Sequence, residues 1–88
     1  MYSILVHPKC QESMLKLCRR NPVLLESLKK KMNEVIQNPY HYKPLRYDLY
    51  GIRRVHIMKS FVLKYEIIES TKTVKFLKFE HHDEAYRR

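Results

Sequence analysis

Apolar positions along this chain recur with two different periods, and the change falls at Gly51. Before it, Cys10, Met14, Leu17 and Cys18 follow one another at helical spacing, as do Leu25, Leu28, Met32, Val35 and Ile36. That period gathers each set on one stripe of an α-helix. Asn21-Pro22 separates the two helices: asparagine caps the second and proline fits its first position. Asn38-Pro39 stops the second helix. Ahead of both lies a brief β-type run, Ser3–Val6, ended by His7-Pro8. After Gly51, Ile52–Ile57, Phe61–Ile68 and residues 74–79 are rich in β-branched and aromatic side chains, the composition of strands. Met58-Lys59-Ser60 and residues 69–73 are short enough to be hairpin connections.

These elements predict a single α+β domain over residues 1–88 with the order β-α-α-β-β-β. A helical hairpin turns its apolar stripe onto one face of a small twisted antiparallel sheet, because each needs a partner surface. The other sheet face, or its rim, is left for function. The chain has 88 residues, and a domain of that size buries only about 60–65% of the surface its unfolded chain exposes. A surface groove is therefore expected rather than a deep cavity.

Charge sharpens the picture. Eighteen Lys and Arg stand against nine Asp and Glu, a net charge of +9, and the pI is about 9.7. Solubility alone is a weak reason for so large an excess, which points to a polyanionic partner, nucleic acid first and an acidic protein second. The apolar run at residues 2–6 is short for a signal-peptide core and has no basic start. No stretch approaches the roughly 20 apolar residues that span a bilayer, so a cytoplasmic location is expected. Cys10 and Cys18, eight residues apart on one helix, would be about 12 Å from each other, too far for a disulfide. They read as small apolar residues in a reducing compartment.

Candidate chemistry lies in two places. In Ile52–Ile57, period-two alternation sends Val55 and Ile57 to one face and Arg54 and His56 to the other. An outward polar pair is common on a half-exposed strand, yet this one sets a permanent cation beside a titratable imidazole. The second place is the ending Glu80-His81-His82-Asp83-Glu84-Ala85-Tyr86-Arg87-Arg88. One helical turn would bring His82 and Tyr86 to the same side, although such an ending could also be a solvated tail. The His81-His82-Asp83-Glu84 cluster fits no common zinc spacing and has no paired cysteine nearby, so a metal is not expected there. With a single glycine there is no phosphate-binding glycine loop and no nucleophile elbow.

The residues then show a resemblance. Lys43-Pro44-Leu45-Arg46-Tyr47-Asp48-Leu49-Tyr50-Gly51-Ile52-Arg53-Arg54-Val55-His56 resembles the motif that leads into the second strand of RelE-type toxins: a Leu, a short loop, a Gly and a basic strand. Residues 61–67 are similar to the strand that follows it, and residues 82–86 to the family's His/Arg-to-aromatic ending. The resemblance to the RelE/ParE toxin superfamily implies a component of a type II toxin–antitoxin system: a cofactor-free, metal-independent mRNA endonuclease that enters the ribosomal A site. It also implies a cognate acidic antitoxin that binds the toxin and blocks its groove, forming a hetero-oligomer.

By position, the resemblance implies that His56 matches a catalytic histidine of the YafQ-like branch, a lysine in RelE. Arg54 stands at another functional lysine, His82 at the branch's C-terminal histidine and Tyr86 at the functional aromatic. Lys43 stands where that branch has a histidine. Two departures are Val62, where many members have a catalytic arginine, and Ser60, which replaces an acidic residue of the YafQ branch. Arg46, Arg53 or Arg54 would then supply the missing cation.

RNA can be cut without metal when its own 2′-OH attacks the adjacent phosphate, which needs a base, an acid and cations. His56 and His82 are the expected base and acid, in either order, since the reference pKa of imidazole is about 6.5. Arg54, Arg46 and Lys43 would stabilise the extra phosphate charge. Tyr86 would orient the 2′-OH or stack on a base, with Phe61 as a further stacking platform; Arg53, His81 and Arg87 would add RNA contacts. Lys29, Lys30 and Lys31 would touch ribosomal RNA or simply be a solvated helix face. This mechanism requires the rings of His56 and His82 to lie close together on the open side of the sheet. The competing expectations are a ParE-like toxin that binds DNA gyrase, a basic RNA-binding module without catalysis, and a degenerate toxin that retains only antitoxin binding.

Overall fold

The computed structural model of the chain describes residues 1–44 and 51–85. In chain order the elements are β1 (Ser3–Val6), α1 (Pro8–Cys18), α2 (Pro22–Gln37), β2 (Ile52–Ile57), β3 (Phe61–Ile68), a 3-10 turn (Glu69–Thr71), β4 (Thr73–His81) and α3 (His82–Ala85). Both long helices begin as their sequences dictate. His7 Nδ1 accepts from Lys9 N at 3.1 Å and Asn21 Oδ1 from Leu24 N at 3.0 Å, while Pro8 and Pro22 occupy first-turn positions where no N–H is needed.

The second helix presents a face slightly different from the predicted one. Leu24 is fully buried and Leu25 is 37% exposed. Leu24, Leu28 and Val35 share a stripe, and Leu25, turned by about 100° from Leu24, falls at its rim. The last strand is also longer than residues 74–79, reaching His81.

The four strands lie in the order β1-β4-β3-β2. β2, β3 and β4 make the expected antiparallel meander. β1, however, pairs in parallel with β4, so the sheet is mixed rather than wholly antiparallel. The α1–α2 hairpin lies between β1 and β2 in sequence and carries the chain from one edge of the sheet to the other, which leaves β1 free to join β4 in the same direction. In the β3–β4 ladder Lys64 faces Lys78 whereas Tyr65 faces Phe76, so Leu77 is the extra residue of a bulge.

One face of the sheet packs on the helices. Val55, Ile57, Leu63, Tyr65, Val74, Phe76 and Phe79 meet Cys10, Cys18, Leu24, Leu28, Val35 and Ile36 there. Cys10 and Cys18 are unpaired thiols in this core, and burial pushes the Cys10 thiol up to about 11. The segment after α2 is moored to the same core. The buried Tyr65 hydroxyl donates to Pro39 O at 2.6 Å, and Tyr42 OH donates to Glu34 Oε1 at 3.2 Å. At the far end Glu69 accepts from Tyr2, Tyr40 and Lys72. The hydrogen bonds from Lys72 and the two phenols hold its carboxyl at about 2.

Candidate functional site

The sheet face away from the helices is set by strand phase. Arg54 and His56 alternate with Val55 and Ile57, which are buried in the core. The antiparallel register carries this phase across the sheet: Arg54 faces Lys64, which faces Lys78, and His56 faces Val62, which faces Glu80. Val62 has no exposed surface yet lies outside the helix-side core. At the position that the resemblance matches to an arginine, this chain thus has a buried apolar side chain among polar neighbours.

His82 comes to the same place by another route. The Met58-Lys59-Ser60 turn takes left-handed backbone at Met58 and Lys59 without a glycine. This geometry presents Ser60 O to His82 N at 2.6 Å. The contact fixes the start of α3 over the β2–β3 turn, and the rings of His56 and His82 lie with centroids 5.4 Å apart at an interplanar angle of 34°. Burial, then the proximity of His82 and of Arg54, lowers the pKa of His56 below 6.5. That shift favours the neutral, proton-accepting form of His56. His82 Nδ1 lies 3.9 Å from Asp83 Oδ1.

Next to the histidines is a shallow surface depression of about 420 Å³ lined by Lys31, Tyr42, Lys43, Arg54, Val55 and His56. Lys43 is brought there by backbone pairing: its carbonyl accepts from Arg54 N at 3.3 Å, and Pro44 bridges to Arg53. Lys31 reaches it from α2, where it is 3.4 Å from Glu34. Three cations and an imidazole thus border one open basin, an arrangement suited to a phosphodiester.

Not every predicted site residue is gathered here. Arg53 points to the opposite face, where its Nη1 donates to Tyr42 O at 2.6 Å and its guanidinium lies 5.2 Å from the Tyr40 ring centroid. It braces the segment that carries Lys43 and takes no place in the basin. Phe61 also has the helix-side phase. It packs on the core between Phe79, at 5.7 Å, and the edge of His81, at 5.4 Å, so it offers no stacking platform beside His56. His81 is occupied in that contact and accepts from Asp83 N at 3.3 Å. Tyr86, Arg46 and Arg87 lie outside the described residues. Lys31, Lys64, Lys78 and Glu80 were not singled out from the sequence as site residues. Extending the alternation from β2 to β3 would have placed Lys64, whereas Lys78 and Glu80 depend on the bulge at Leu77, which shifts the phase of β4. Among the described residues no group of three His, Cys, Asp or Glu side chains is placed to hold a metal ion, and no helix is long and apolar enough to cross a membrane.

Comparison with known proteins places this architecture. The family model described as the ParE toxin of the type II toxin–antitoxin system parDE matches residues 4–86. A protein of Methanocaldococcus jannaschii that bears the toxin name RelE4 is 46% identical over 88 residues, covering 100% of this chain and 94% of that one. Among solved structures, a chain of the intact E. coli RelBE toxin–antitoxin complex superposes with a TM-score of 0.76 at 18% identity, covering 90% of this chain and 94% of its own. A chain of the E. coli DinJ–YafQ complex gives 0.78 at 20%, covering 99% and 100%. At such identities the structural likeness speaks for the fold alone.

Proposed function

Because the chain belongs to the RelE/ParE superfamily of toxins from type II toxin–antitoxin systems, we propose that it is an endoribonuclease that cuts ribosome-bound mRNA without a metal ion and is silenced by a cognate acidic antitoxin. The observation that carries this reading is the imidazole pair, His56 and His82, 5.4 Å apart on the open face beside the basin formed by Lys31, Lys43 and Arg54.

Two imidazoles this close cannot both hold a proton easily. The lowered pKa of His56 suits it to be the base, which leaves the acid role to His82. The RNA 2′-OH gives its proton to His56 as its oxygen attacks the neighbouring phosphorus. The bond from phosphorus to the 5′-oxygen breaks, and that oxygen takes a proton from His82. The products are a 2′,3′-cyclic phosphate and a free 5′-hydroxyl. Arg54, Lys43 and Lys31 offset the charge that builds on the phosphate oxygens. Tyr86, matched by the resemblance to the family's functional aromatic, would orient the attacked nucleotide.

The partner follows from the family and from charge. The RelBE and DinJ–YafQ structures are toxin–antitoxin complexes, and a net charge of +9 suits both an acidic antitoxin and the RNA of the ribosome. A cytoplasmic location accords with such a target.

Primer extension on mRNA from a translating extract tests the activity. New ends inside open reading frames are expected with the parent protein and only during translation. His56→Ala, His82→Ala and Tyr86→Ala, folded by circular dichroism, should leave the message whole; undiminished cutting by the two histidine variants would falsify this reading. One observation favours a second one: the matching family model is described for ParE. A ParE-like protein would bind DNA gyrase, giving gyrase-dependent DNA breaks with intact message.

A further inference from the structure

Val62 leaves the middle of the candidate site apolar, and the register shows what surrounds it. Arg54, Lys64 and Lys78 are direct cross-strand partners on β2, β3 and β4. Their strand phase puts all three on the face without helices. Neighbouring strands are about 4.8 Å apart, so this row spans roughly 10 Å. Like charges directly opposite one another destabilise a sheet, and a chain already carrying +9 gains no stability by stacking three of them.

A carboxylate relieves the crowding. Glu80 Oε2 lies 3.2 Å from Lys64 Nζ, and both side chains are only 17% exposed. Glu80 is on the adjoining row, across Val62 from His56. The pair therefore joins the cation row to the row that holds His56.

We propose that Arg54, Lys64 and Lys78 form a phosphate-binding ladder that takes successive phosphates of one RNA strand beside the histidine pair, with Glu80 as a built-in counterion. Glu80 holds Lys64 in position in the free protein, and an RNA phosphate takes over that role in the complex. The ladder supplies from β3 and β4 the positive charge that Val62 cannot. The proposal rests on the RNA reading above and extends it to Lys64, Lys78 and Glu80.

Fluorescence anisotropy with a short 2′-O-methylated RNA, which offers no 2′-OH to react, separates binding from cleavage. For single strands each phosphate contact contributes about 0.7 to the slope of log affinity against log salt. Lys64→Met and Lys78→Met should each bind severalfold more weakly and flatten the slope by about that amount. Lys78 is exposed, so its replacement leaves the fold intact. Glu80→Gln should act in opposite senses, binding RNA more tightly while melting at a lower temperature, a combination that a merely structural ion pair does not produce.

If the two lysine variants bind like the parent while Arg54→Met binds more weakly, the ladder is overturned and the RNA reading stands. If Arg54→Met is also unchanged, both fall. Unchanged or weaker binding by Glu80→Gln overturns the counterion role. Should that variant fail to fold, Glu80→Asp, which loosens the pair, must bind more tightly for the role to hold.

Discussion

The two faces of the sheet are made from alternate residues of the same strands, and they solve different problems. On the helix side Leu63, Tyr65, Phe76 and Phe79 are sealed against α1 and α2, where burial of apolar area drives folding. On the other side Arg54, His56, Lys64, Glu80 and Lys78 stand in register, and Glu80, 3.2 Å from Lys64, offsets part of the crowded charge. Arg53 and Arg54 show the division most sharply. They are adjacent in sequence, yet one braces the Tyr42 carbonyl and the other borders the basin with His56. The lesson is that stability and chemistry are separated here by a single residue of strand phase.

Substitutions can break that separation or sharpen it. The largest expected effect is on the open face: His82→Ala or His56→Ala should lower mRNA cleavage by about 100- to 10,000-fold and leave stability within about 0.5 kcal/mol, as read by primer extension and urea denaturation. The reverse is expected across the sheet. Phe76→Ala should cost about 3–5 kcal/mol while the fraction that stays folded cuts RNA normally. Comparable stability losses on both faces would erase the distinction.

The adjacent arginines give a smaller and more exact contrast. Arg53→Met removes a charge-assisted hydrogen bond to Tyr42 O and should destabilise by about 1.5–3 kcal/mol. Arg54→Met should leave the urea midpoint nearly unmoved and weaken RNA binding. The pH dependence comes next. The pKa of His56 is depressed in the folded protein, through burial first, so below 6.5 the unfolded chain binds more protons than the folded one. Stability is therefore intact above that value and declines as the pH falls through it; His56→Gln should flatten this slope in a denaturation series. The smallest effect belongs to the turn that positions α3. Lys59 has φ 63°, a conformation costing a non-glycine residue about 1–2 kcal/mol, so Lys59→Gly should raise the melting temperature slightly.

Much of this was legible in the sequence because local rules act locally. The caps Asn21-Pro22, the change of period at Gly51 and the outward phase of Arg54 and His56 all depend on near neighbours. What escaped depends on pairing between distant strands. Nothing near Ser3–Val6 fixes its direction relative to residues 73–81, so the parallel β1–β4 contact emerges only in three dimensions. Arg53 and Phe61 look like basic and aromatic surface residues until the alternation is followed through each strand into the core. Lys64 reads as an ordinary strand residue and Glu80 as the start of the C-terminal ending, because their pairing depends on β2, β3 and β4 together.

The contact between β1 and β4 also bears on timing. Translation delivers the chain from its N-terminal side, so β1 and both long helices emerge before β4, the strand that fills the gap between β1 and β3. His82 follows β4 directly. The histidine pair therefore cannot assemble while β4 is still inside the exit tunnel.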